Sequence, residues 1–239
     1  MKKRASRICL LGCLAFVLTA GAQEVLEKGR VPAPVMTFHG ADWLERPERD
    51  EEERPAEVIA AMGLKPGDMV GDIGAGTGYF SRRFAKAVAP EGKVYAVEIQ
   101  PEMLEKMADL CAKDGVTNIV PILGTETDPL LPDAALDWLF LADVYHEFQQ
   151  PEPMLAKMLA SLKPGGRVAL IEYRLLGDTS RHIREEHRMS VKQVLAEWQP
   201  AGFQLVDLLE FLPSQHLFIF QKPAAVAAPG KTSVDAQPN

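Results

Sequence analysis

Val70-Gly71-Asp72-Ile73-Gly74-Ala75-Gly76-Thr77-Gly78-Tyr79-Phe80 is the stretch whose reading decides the fold. A short strand is predicted over Met69 to Ile73, and three alternating glycines follow it. Behind them Phe80, Phe84 and Val88 recur at four-residue spacing, the signature of one helix face. Glycines between a strand and a helix let the chain turn sharply and let a ligand approach the backbone closely. By itself such a loop is equally a tight strand-to-helix turn. Two acids give it more content. Asp72 ends the first strand, and Glu98 ends the next one, 20 residues beyond Gly78. A carboxylate at that second place can accept both hydroxyls of a ribose.

Working outward, strand and helix signals alternate. A helix is predicted over Pro55 to Met62 and stops at Gly63; strands follow at Lys93 to Ile99, Asn118 to Leu123 and Leu136 to Ala142. Helices are predicted from Pro101 to about Lys113 and from Met154 to Leu162. The run LDWLFLA is apolar on both faces, as a central parallel strand is. After Leu162-Lys163-Pro164-Gly165-Gly166 comes a fifth strand, Arg167 to Tyr173. Ser190 and Gln193 have capping-box spacing before a helix through Trp198. Phe203–Leu212 and His216–Gln221 read as an antiparallel pair joined at Pro213-Ser214. The fold class is therefore α/β: a doubly wound, mostly parallel, seven-stranded sheet with helices on both faces and a C-terminal antiparallel strand pair.

The ends of the chain read differently. Residues 1–22 have a basic start, an apolar run from Ile8 to Leu18 and a small-residue ending, Ala20-Gly21-Ala22. That pattern is a secretory signal peptide cleaved after Ala22, which implies export to the periplasm. An uncleaved membrane tether, or lipidation at Cys13 in Leu10-Leu11-Gly12-Cys13, is the alternative. Residues 23–54 read as a lead-in and cap, 55–223 as the main domain, and 224–239 as a disordered tail. Beyond residue 22 the chain holds 22 Lys+Arg against 33 Asp+Glu, a net charge of −11. Such a body repels phosphate backbones and anionic lipid surfaces, so neither nucleic acid nor stable membrane insertion is expected. Only Cys111 remains there, which excludes an intramolecular disulfide and a thiolate metal cluster; no metal is expected, and Cys111 is assigned to helix packing with Met103 and Met107.

Two cofactors compete for the glycine loop. Dinucleotide sites favour G-x-G-x-x-G before a pyrophosphate. Here the spacing is G-x-G-x-G, and an acid stands two residues ahead of it. A carboxylate there repels a pyrophosphate and suits a ligand with an ammonium group, which points to S-adenosylmethionine and away from a nicotinamide oxidoreductase.

On the residues Asp72 to Gly78, Glu98, Asp143-Val144-Tyr145-His146-Glu147 and the Leu162–Gly166 turn, the chain resembles class I, Rossmann-like, S-adenosylmethionine-dependent methyltransferases, from about Pro55 to Gln221. It is also similar to an exported bacterial subgroup of them. The resemblance implies that Gly74, Ala75, Gly76 and Gly78 pass under the methionine part of the cofactor. Asp72 would act through the loop or on the amino group, Glu98 would hold the ribose, and Ile99 would lie on the adenine. Many relatives place Asp where this chain has Thr125, which assigns the remaining adenine contacts to Thr125 and Glu126. Asp143 would stand near the methionine end.

The same resemblance implies methyl transfer by in-line displacement to a small-molecule acceptor, quinone and lipid-like acceptors among them. A cofactor-binding module without turnover is the second reading. His146, just after the fourth strand, is the candidate general base, although a histidine there can equally orient its loop. Tyr145, Glu172, Tyr173, His187 and Trp43 are the candidate substrate contacts. The acid-rich run Glu45 to Arg54 reads as a solvated helix face.

Overall fold

The computed structural model describes residues 31–177 and 182–224. The proposed signal segment and all but the first residue of the proposed tail lie outside them. The chain divides into Met1–Val31 and Pro32–Asn239, and the fold belongs to the second unit. Its elements are α1 (Arg49–Glu53), α2 (Pro55–Met62), β1 (Met69–Ile73), α3 (Tyr79–Val88), β2 (Lys93–Glu98), α4 (Pro101–Asp114), β3 (Ile119–Leu123) and β4 (Leu136–Ala142). Then follow α5 (Pro151–Ser161), β5 (Leu162–Arg174), β6 (Arg188–Met189), α6 (Val191–Trp198), β7 (Gln204–Leu209) and β8 (Gln215–Gln221).

The strands form one sheet in the order β3-β2-β1-β4-β5-β8-β7. The first five run parallel, and β8 is antiparallel to both β5 and β7. These are the seven strands read from sequence, except that β5 begins at Leu162, so the Lys163–Gly166 stretch read as a turn lies inside it. The structure adds an eighth, the two-residue β6, which pairs with the end of β5. A ladder of two residues leaves no periodicity to read. Helix α5 also starts three residues before its predicted place, because Pro151 and Pro153 fit the first turn, whose N–H groups have no intrahelical partner anyway.

Strand alternation explains how the sheet is covered on both faces. Leu139 and Leu141 of β4 join one apolar cluster with Met154, Leu155 and Met158 of α5 and Val194 and Trp198 of α6. Trp138 and Phe140 point the other way, to Val58 and Met62 of α2 and to Phe80, Phe84 and Val88 of α3. Phe140 meets Phe80 and Phe84 at ring-centroid distances of 4.5 and 4.8 Å. Ser190 caps α6 by accepting from Gln193 N at 3.1 Å. Among the described residues no helix is long and apolar enough to cross a membrane.

Order reverses between β1 and β4: from β1 the chain fills one side of the sheet, then crosses to the other. Loops diverge at the carboxyl ends of such a pair and leave a crevice there. Residues 33–54 cross this edge as a strap. Ala33 N donates to the His146 carbonyl at 3.0 Å, Gln100 holds Met36 and Phe38 through its amide, and Glu45 accepts from Thr77 Oγ1 at 2.6 Å and from Arg82 at 2.5 Å.

Candidate active site

Under the strap lies a cavity of about 360 Å³, within the range of roughly 300–1,000 Å³ usual for small-molecule sites. The glycine loop forms one wall. Gly74 has φ +71°, and a Cβ there would stand 2.4 Å from Val144 Cγ2, so that turn accepts only glycine. Glu98 is drawn into the loop. Its Oε2 accepts from Gly76 N at 3.0 Å, and its Oε1 accepts from Ile99 N at 2.7 Å and Gln100 N at 3.0 Å. Three backbone donors therefore fix the carboxylate and leave one of its roughly four lone-pair sites, on Oε2, for a hydroxyl donor.

Of the residues singled out in the sequence, Gly74, Ala75, Gly76, Glu98, Ile99, Thr125, Glu126, Asp143, His146, Tyr173, His187 and Trp43 all line the cavity. Asp72, Gly78, Tyr145 and Glu172 do not line it. Gly78 caps α3 instead, with φ +78°. Asp72 shares its face of β1 with Val70, so its carboxylate points at α3 and accepts from Ser81 Oγ at 2.5 Å. Burial raises its pKa to about 7, with the Ser81 hydrogen bond pulling the other way. Tyr145 is fully buried against Trp198 and Phe148, and its hydroxyl donates to Glu197 at 2.6 Å. Glu172 stands directly behind His146. Its Oε1 accepts from His146 N at 3.1 Å and its Oε2 pairs with Nδ1 at 2.6 Å.

The charged run before Arg54 corrects its sequence reading. Arg49 and Glu53 are buried, one turn apart on α1, joined at 2.6 Å, and both line the cavity. A neutralised pair satisfies the burial that a solvated face would avoid. Their only sequence signal is the i,i+4 spacing of opposite charges, which exposed helices share. Glu147, quoted in the sequence only as part of the motif after β4, also lines the cavity, as do Gln100 and Met36, which were not singled out.

Charge is concentrated at the β4 end. Asp143 holds φ +51°, a strained backbone for a non-glycine residue. Its Oδ2 accepts from Gln215 at 3.1 Å, while Asp143 Oδ1 and Glu53 Oε2 are buried with no hydrogen-bond partner among the described residues. Burial, then the nearby charges of Glu53 and Glu172, hold the Asp143 carboxyl well above the usual range. The Tyr173 hydroxyl is raised by the Asp143 charge and by burial. Burial lowers the pKa of His146, but Glu172, Asp143 and Glu147 outweigh it and the net shift is upward. Burial lifts Glu147 to about 7, and burial together with His146 lowers His187.

A doubly wound sheet with a carboxylate fixed beside a glycine loop, and two acids across the crevice that each keep one buried oxygen free, defines a Rossmann-like enzyme that binds a nucleoside cofactor with a cationic end. Residues 64–212 match the family described as methyltransferase domain. The ubiquinone/menaquinone biosynthesis C-methyltransferase UbiE of Cupriavidus taiwanensis is 34% identical over 116 residues, 48% of this chain and 47% of that protein. The enzyme of the same name from Ectopseudomonas mendocina is 34% identical over 117 residues, 48% of this chain and 46% of its own. The chain thus spans about half the length of these curated relatives. In three dimensions a methyltransferase of Aquifex aeolicus, described as SAM-dependent, superimposes with a TM-score of 0.74 at 26% identity, over 79% of this chain and all of that one. The chain belongs to the methyltransferase-domain family, the class I enzymes that take their methyl group from S-adenosylmethionine.

The residues present fit that cofactor. Its ammonium and sulfonium charges would meet the orphaned oxygens of Glu53 and Asp143, which otherwise lack a partner on this wall. Ile99, Met36 and Val35 are large apolar side chains left 36–40% exposed on the same cavity, a surface that a flat base would cover.

Proposed function

We propose that the protein transfers a methyl group from S-adenosylmethionine to a small-molecule acceptor bound at the His146, Tyr173 and His187 end of the cavity. The observation that carries the reading is that one continuous cavity joins the Glu98 loop to this second, polar end. The cofactor supplies an electrophilic methyl carbon. What the chain contributes is alignment: Glu98 and the glycine loop fix the nucleoside, Glu53 and Asp143 hold the cationic end, and the strap excludes water. Glu172 holds His146 through the backbone N and through Nδ1; with Nδ1 as the donor, Nε2 is turned away from Glu172 toward the cavity. The resemblance to the quinone C-methyltransferases, across slightly less than half of their length, supports a hydroxylated or quinol-like ring as the acceptor class.

Calorimetric titration of the intact chain with S-adenosylmethionine tests this. Saturable one-to-one binding is expected, weakened at least tenfold in Glu98→Ala and several-fold in Glu53→Gln. Adenosine, which lacks the amino-acid end, should not distinguish Glu53→Gln from the parent. A folded protein that binds neither ligand would overturn the reading.

A further inference from the structure

At the acceptor end of the cavity, His146, Glu147 and His187 form a set of possible metal donors. They come from two 3₁₀ turns, Tyr145–Glu147 and Glu185–His187, which pack on each other. One ligand atom from each lies within 4.8 Å of the other two. His187 Nδ1 and His146 Nε2 are 3.0 Å apart. Nitrogens bound to one ion at 2.0–2.1 Å, at angles from octahedral to tetrahedral, stand about 2.9–3.4 Å from each other. The observed spacing sits at the short, octahedral end of that interval, and a tetrahedral ion would part the two rings by about 0.3 Å.

A second observation is independent of the spacing. Glu172 grips His146 at both the backbone and Nδ1, which fixes the tautomer and aims Nε2. A carboxylate behind the far nitrogen is the usual support of a metal-ligating histidine. β6 supplies the rest: its pairing with Tyr173 and Arg174 of β5 brings the preceding His187 against His146.

We propose that His146 Nε2, His187 Nδ1 and the Glu147 carboxylate bind one divalent transition ion of the zinc type on the cavity wall, with its remaining positions open to the cavity. Two histidines and one carboxylate make the donor set of open, catalytic zinc sites. Glu147 is the loosest of the three donors, since the hydrogen bond its carboxylate accepts from Met36 N is long at 3.3 Å. The sequence reading expected no metal because it counted thiolates, and this set contains none. The open positions suit an oxygen donor on the acceptor, a hydroxyl or enol whose proton the ion would loosen. That last role rests on the methyltransferase reading; the ion site does not.

The test uses the full chain freed of metal by chelator dialysis and titrated with Co²⁺, then Zn²⁺, with no S-adenosylmethionine present. One Co²⁺ per chain is expected, with visible ligand-field absorption that Zn²⁺ abolishes. His187→Ala and Glu147→Gln should each weaken binding at least tenfold. His216→Ala should not, since that ring pairs with Glu210 outside the cavity. Circular dichroism checks that each variant is folded. Absence of saturable binding, or affinity unchanged in both variants, overturns the site and leaves the two rings as a hydrogen-bonded pair. Because cofactor binding is measured separately, loss of one result does not carry the other.

Discussion

Asp72 ends β1 beside the glycine loop yet spends its carboxylate on Ser81 of α3. Its pKa is raised from 3.8 to about 7, chiefly by burial. The folded chain therefore keeps this proton between pH 4 and 7 while the unfolded chain releases it. Stability contributed below pH 4 is lost as pH rises through 7. Asp72→Asn keeps an acceptor for Ser81 and removes the buried charge. Thermal unfolding should show the variant more stable than the parent at pH 8, by at most roughly 4 kcal/mol, and equal to it near pH 3. A variant less stable at pH 8 would mean that Ser81 and Arg49 favour the charge by more than burial opposes it. At this scale Glu98 was legible because strand, loop and acid stand at a diagnostic spacing. The direction of Asp72 was not, since it depends on which face of β1 its neighbours bury. Tyr145 shows the same limit: its place beside His146 in the chain says nothing about the aromatic cluster that its ring enters.

Elements were more legible than residues wherever apolar periodicity carried them. β4 is apolar on both faces because each face meets helices, and Leu139 and Phe140 divide between the two clusters as alternation requires. Phe140 is fully buried between Phe80 and Phe84. Phe140→Ala should cost about 3–5 kcal/mol in denaturant unfolding, with cofactor affinity preserved at temperatures where the variant is folded. A loss below 1 kcal/mol would show that this face repacks freely. β6 and α1 had no such periodicity. Each is short, and each exists because of what it pairs with: β6 with the end of β5, Arg49 of α1 with Glu53 and the ring of Tyr79.

For the whole molecule, scaffold and wall come from different stretches of chain. Residues 64–212 carry the family match and hold every strand but β8, whereas Trp43, Leu44, Arg49 and Glu53 reach the cavity from ahead of it. A chain beginning at Pro55 keeps α2 and the full sheet. Its far-UV circular dichroism should resemble that of the parent, and its affinity for S-adenosylmethionine should fall at least tenfold. Undiminished affinity would make the strap a bystander.

Glu45 gives that division a wider meaning. A single carboxylate from the strap accepts from Thr77 inside the glycine loop and from Arg82 on α3. The border drawn by ancestry and the border drawn by chemistry therefore fall in different places. Two descendants of the same scaffold could keep every residue of the shared region and still recognise different molecules, by exchanging only the thirty or so residues in front of it.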